Sequence, residues 1–203
     1  MAVCSRGWAL YMMPIIDAEH PVKEIYFTLN REAPTTLSAF DKYWHLYETQ
    51  TSKKIKQVRF DNEFAVPKEW TDYCNKYRIH IEPTIPYLLQ MNGISERAIC
   101  TITDDIHMLL IELDLPKSFW VEAAAYSVYT CNLIPSSTLP GKIPLEGWMK
   151  KRINISHLCT FGCKVHVKVL VDTNRCQVNG GSKLDKRTLE GTFISYLQGH
   201  GGY

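Results

Sequence analysis

The chain has 203 residues, 45% of them apolar, and a formal net charge of +2. That apolar content supports a real core and excludes a disordered chain. The near balance of charge excludes a strongly basic nucleic-acid coat protein, and no run of about 18 apolar residues predicts a membrane span.

Basic residues do gather locally, at Lys53, Lys54, Lys56 and Arg59 and again at Lys150, Lys151 and Arg152. The opening "MAVCSRGWALYMMPIID" lacks the basic-then-apolar pattern of a secretory signal. Seven cysteines, odd in number and scattered, argue against a disulfide framework. Together these point to a reducing compartment, nucleus or cytoplasm.

Residues 9–16, "ALYMMPII", read as a buried strand in which Pro14 is a blemish, because a central strand needs every N–H. Asp17 to Pro21 is a turn. Residues 22–29 alternate with Ile25, Phe27 and Leu29 inward, so 9–29 is a predicted hairpin. Leu37, Phe40, Trp44 and Tyr47 recur at helical spacing, with Thr35 or Thr36 as N-cap. A short strand (55–60), a helix near 67–78 and a strand in "RIHIEP" follow, then a loop over 84–93. The long helix from Ile94 to about Glu112 has Asn92 or Ser95 as its cap, and Pro116 opens another that runs to about Leu133.

Residues 135–148 hold three prolines and two glycines and read as a linker-like loop. Beyond them the apolar period changes to two, in "KVHVKVLV" and "LEGTFISYL". That change predicts a main domain over 1–150 and a small β domain over 151–203, possibly incomplete. The order of elements predicts an α/β layer fold with a mixed sheet flanked by helices.

Two spots could carry chemistry. "HLCTFGCKVH" gathers His157, Cys159, Cys163 and His166 within ten residues. Their spacing matches no common zinc knuckle, and His166 alternates with Lys164 and Lys168, opposite Val165, Val167 and Val169, so a strand is the better reading. The other spot pairs Asp61, at the end of the strand in "KKIKQVRFDNEF", with Glu96, in the first turn of the long helix. Carboxylates from separate elements suit Mg²⁺ or Mn²⁺, which take oxygen ligands. Each has a plain alternative: Asp61 as a turn residue, Glu96 as a partner for the helix dipole.

The words around these residues bear on the choice. "RFDNEF", "PYLLQMNGISERAICTI", "LPKSFWVEAAAYSVYTCNLIPSS", "KIPLEGW", "HLCTFGCKVHV" and "KLDKRTLEGTFISY" follow one another in the order of one family. From about residue 8 to 203 the chain resembles the integrase of copia-type long-terminal-repeat retrotransposon Pol polyproteins. The resemblance implies a ribonuclease H-like catalytic core, then a small Src-homology-3-like β barrel from about residue 155. It implies a polynucleotidyl transferase that binds two Mg²⁺ and acts on DNA, as a homo-oligomer in the parent family. Asp61 then matches the second catalytic carboxylate and metal ligand, and Glu96 the third. Asn62, Gln90, Asn92, Gly93 and Arg97 match residues of the nucleic-acid site.

The copy departs from the family pattern. Ala2 stands at the nearest match to the first catalytic Asp, and the first central strand is missing or a stub. The glycines that follow Asp-Asn in the family are absent from "DNEF". Cys100 and His107 stand where the family commonly has Arg, which removes two phosphate contacts. The expectation is a truncated or decayed integrase copy, impaired as an enzyme. The alternative is a non-catalytic, domesticated module that binds DNA or a protein.

Overall fold

The computed structural model describes residues 3–60, 66–82, 93–135, 141–168 and 188–196. The chain divides into two compact units, Met1–Ile155 and Ser156–Tyr203. No helix among the described residues is long and apolar enough to cross a membrane.

The predicted hairpin forms. Strand β1 (Tyr11–Ile16) pairs antiparallel with β2 (Lys23–Thr28), with Tyr11 opposite Thr28 and Ile16 opposite Lys23. Asp17 makes the turn: its carboxylate oxygens accept from the Glu19 N–H at 3.3 Å and the His20 N–H at 3.2 Å. Its own N–H donates to the Val22 carbonyl at 3.0 Å. Bonded pairs alternate along an antiparallel ladder. Residues 11, 13 and 15 therefore bond to β2, while Met12, Pro14 and Ile16 turn their backbone outward.

Pro14 thus sits where its missing N–H deprives no neighbour, since β1 pairs only with β2 among the described residues. On the other edge of the hairpin the outward backbone of Lys23 is closed by a side chain. Asn132 Oδ1 accepts its N–H at 2.8 Å and Asn132 Nδ2 donates to its carbonyl at 2.7 Å, as a neighbouring strand would.

A second small sheet pairs β3 (Gln57–Arg59) in parallel with β4 (His80–Glu82) across helix α2 (Lys68–Tyr77). Helix α1 (Ala33–Thr51) starts earlier than the threonine caps predict. Glu32 occupies the N-cap, and Pro34 fits the first turn, where no N–H is needed. Thr36 instead accepts the Trp70 indole N–H at 3.1 Å, tying α1 to α2.

Met13, Ile15 and Tyr26 from the hairpin and Val58 and Ile81 from the second sheet pack on one core, built on Phe40, Tyr43, Tyr47, Trp70 and Trp148. By alternation Ile25 and Phe27 face the other way. There Phe27 meets Trp120 edge-on, ring centroids 5.6 Å apart. Helix α4 (Trp120–Leu133), entered through a 3-10 turn at Lys117–Phe119, packs on α3 (Gly93–Glu112). Ala123 and Ala124 are fully buried. Ser127 donates to Asp105 at 2.5 Å within the same contact.

Several expectations change. Leu29 lies beyond the end of β2 and is 58% exposed, so it is not a core residue. Ser95 lies inside α3 rather than at its cap, and Asn92 is outside the described residues. The stretch taken for a linker contains helix α5 (Pro144–Met149). Its proline stands in the first turn, and Trp148, 3% exposed, packs on Tyr43 and Tyr47 at centroid distances of 6.4 and 5.6 Å.

In the second unit β5 (Lys164–Lys168) pairs antiparallel with β6 (Thr188–Thr192). Phe161 and Phe193 are buried, and Tyr196 brackets Cys159, its hydroxyl accepting the Cys159 N–H at 2.6 Å and donating to the Cys159 carbonyl at 3.2 Å. His166 is exposed with Lys164 and Lys168. Val167 is exposed too, contrary to the dry face expected for it, and Val169 lies outside the described residues.

Candidate functional site

The candidate site draws on the exit of β3 and the start of α3. Phe60, the last described residue before Asp61, meets Trp70 edge-on at 4.7 Å, which anchors that exit to the aromatic core. Asp61, Asn62, Gln90 and Asn92 lie outside the described residues; Gly93, Glu96 and Arg97 lie within them.

Glu96 stands exposed in the first turn of α3. No hydrogen bond or ion pair engages it among the described residues. Helix α3 holds its position because Ala98, Ile102, Ile106 and Leu110 form a buried stripe. Arg97 folds back, its Nε donating to the Gly93 carbonyl at 3.1 Å. An exposed hard carboxylate with no internal partner fits a dication that takes oxygen ligands. Among the described residues no group of three His, Cys, Asp or Glu side chains is placed to hold a metal. That covers His157, Cys159, Cys163 and His166 as well.

Farther along α3, Cys100 and His107 are both exposed, as is Asp104 between them. That surface therefore presents no excess of fixed positive charge to a phosphate. Asp17 is committed to its turn, which suits a non-catalytic acid.

Sequence reasoning missed one titratable group. Glu24 lies on β2 in phase with Tyr26, on the face that meets α1. Burial raises its carboxyl to about 7. The Tyr26 hydroxyl is pushed up to about 12 by burial and by Glu24, and Tyr43 rises through burial first, then through Asp17, with Tyr47 and Glu24 adding to it. Reading Ile25 and Phe27 as the only inward face puts Glu24 in water. A strand covered on both faces defeats that rule, and the signal available was Tyr26 two positions on. At the exit of the second sheet, Arg59 grips Glu82 through Nε at 3.0 Å and Nη2 at 2.7 Å, with Gln57 on the same oxygen. These contacts, Arg59 first, hold the Glu82 carboxyl below its ordinary value.

No family model matches the chain. It is 32% identical over 205 residues to the retrovirus-related Pol polyprotein from transposon TNT 1-94 of Nicotiana tabacum. The match covers 100% of this chain and 15% of that polyprotein, so the chain spans a small part of its curated relative. One similar solved structure is the simian T-cell lymphotropic virus intasome in complex with PP2A regulatory subunit B56 gamma. There the TM-score is 0.56 at 15% identity, over 94% of this chain and 64% of that one. Another is the catalytic core domain of BIV integrase, with a TM-score of 0.51 at 15% identity, over 68% of this chain and 85% of that one. At such identities the likeness is one of fold, a ribonuclease H-like α/β core.

Proposed function

Since the chain is an integrase-fold relative of the retrovirus-related Pol polyproteins of transposons, we propose that it is the integrase segment of a copia-type element. Its inherited activity is 3′-end processing and strand transfer on DNA. The observation that carries this reading is the match to a Pol polyprotein along the whole chain. Glu96, exposed and unengaged, supports it locally.

In this reading Asp61 and Glu96 hold Mg²⁺ or Mn²⁺, and Asn62, Gln90, Asn92, Gly93 and Arg97 lie along the nucleic acid. A bound dication would supply Lewis acidity to the phosphodiester and to its attacking oxygen. The chain's own part is to present two carboxylates from separate elements and to position the DNA. Residues 1–150 form the core domain and 151–203 a Src-homology-3-like barrel, and the working form is a homo-oligomer on DNA.

Helix α3 carries Cys100 and His107 where cations would meet phosphates, so in this reading the hold on DNA is weakened. A second reading, a non-catalytic DNA- or protein-binding module, is favoured by that same face of α3, which carries no excess of positive charge. One assay separates the two: incubation with Mn²⁺ and a labelled long-terminal-repeat end, read for nicking or strand transfer. Weak activity abolished in Glu96→Gln supports the enzyme. DNA binding with no chemistry, at any metal concentration, supports the module and overturns the catalytic reading.

A further inference from the structure

Two basic runs far apart in sequence meet at one end of the first unit. Lys53, Lys54 and Lys56 follow the left-handed C-cap of α1 at Ser52, φ 55°. Lys150, Lys151 and Arg152 begin at the left-handed C-cap of α5, where Lys150 has φ 51°. These two helix ends lie side by side, because Tyr47 in the last turns of α1 packs on Trp148 of α5 at 5.6 Å.

The β1–β2 turn joins them. Glu19 Oε2 meets Lys53 Nζ at 2.8 Å. The hydrogen bond from Lys53 leads the causes that hold the Glu19 carboxyl below its ordinary value, and His20 and Lys150 add to it. His20 in turn lies over α5, its Nδ1 3.2 Å from where a Cβ on Gly147 would stand.

Lys54, Lys56, Lys150, Lys151 and Arg152 are all exposed. Lys54, Lys56, Lys151 and Arg152 carry no salt bridge among the described residues. Complementing the helix dipoles does not explain them. That effect fades beyond the last turn, and neither α1 nor α5 has a basic residue in its last turn.

We propose that this surface is a contact for the phosphate backbone of duplex DNA that uses neither Asp61 nor Glu96 and needs no metal. The chemistry favours a backbone over a small phosphate ligand. Exposed cations from two chain segments match a row of evenly spaced phosphates, whereas a single phosphate group calls for converging, partly buried donors. Binding here is expected to be indifferent to base sequence, because contacts to phosphates carry no sequence information.

The test uses the full 203-residue chain and a labelled duplex of arbitrary sequence, followed by fluorescence anisotropy across a salt series in EDTA. With metal removed, the result is independent of the nicking assay above. The parent is expected to bind with an affinity that falls linearly on a log–log salt plot. Lys54→Ala/Lys56→Ala and Lys151→Ala/Arg152→Ala are each expected to weaken binding roughly ten-fold at low salt. Each should also flatten the slope by about 0.9 for every phosphate that is no longer neutralised. Glu19→Gln removes a carboxylate paired within the surface and is expected to strengthen binding. Circular dichroism identical to the parent shows that these surface changes leave the fold intact. The proposal is overturned by a parent that does not bind in EDTA, by binding that ignores salt, or by either double variant keeping the parent's affinity and slope.

Discussion

Trp70 and Glu96 are opposite extremes of burial within the same unit. Trp70 is 1% exposed, bonds Thr36, and packs against Phe40 at 5.2 Å and edge-on against Phe60 at 4.7 Å. Glu96 is exposed on a helix whose other side does the packing. The aromatic core under α1, α2 and α5 fixes where β3 ends. The start of α3 offers an unengaged carboxylate to whatever approaches. Packing is concentrated at the first pole and we place the chemistry at the second, and substitutions should separate the two.

The largest expected effect is at the packed pole. Trp70→Ala leaves a cavity beneath the β3 exit and removes the Thr36 hydrogen bond, at a cost of about 3–5 kcal/mol. A urea midpoint unchanged by this substitution would show that the two helices do not share one core.

Next comes Glu24, on the packed side but ionisable. Its folded pKa, raised to about 7, lies above the usual value of about 4.3 for an unfolded chain. Between those values the folded state holds the proton that the unfolded chain has released, so stability falls as pH rises through that window. Above about pH 7 the whole penalty is present, roughly 3–4 kcal/mol by the linkage relation. Glu24→Gln is expected to stabilise the protein at pH 8 and to flatten the pH dependence of the urea midpoint over that window. A variant that keeps the slope of the parent would assign it to another group.

Asn132 comes third. Truncation to Ala leaves the Lys23 N–H and carbonyl without the partners that Asn132 supplies, at about 1–3 kcal/mol. Hydrogen exchange should report the loss locally, with faster exchange at the Lys23 amide than at Tyr26 on the same strand.

How far these features were legible in sequence depends on what surrounds each residue. Helices α1, α2, α3 and α4 show in the sequence because each buries residues at helical spacing, and periodicity records that burial. Helix α5 does not, because three prolines and two glycines nearby mimic a loop and only packing reveals Trp148 as a core residue. Leu29, read as inward, is exposed, and Glu24, which the alternation leaves out, is partly buried. The hairpin is covered on both faces and stops at Thr28, so simple alternation ran one residue too far and left one face out. Pro14 looked wrong for a central strand and is right for an edge. At the site, the spacing of Asp61 and Glu96 pointed to chemistry only with the neighbouring words beside it. The structure describes Glu96 and its supporting helix, while Asp61 lies outside the described residues.

The smallest effect on stability is expected at Glu96 itself, and it sharpens the contrast most. The carboxylate is exposed and bonded to no described group, so Glu96→Gln removes little more than a favourable charge near the start of α3. That interaction is worth roughly 0.3–1 kcal/mol in an exposed first turn, within the scatter of ordinary surface substitutions. Any Mn²⁺-dependent nicking should nonetheless disappear, because the amide cannot serve as an anionic oxygen ligand. The two readouts belong in one experiment, with the urea midpoint and the nicking rate measured on the same preparation. A large shift in midpoint would mean that Glu96 is engaged within the fold. It would then belong with Trp70 at the packed pole, and the site would have to be sought elsewhere.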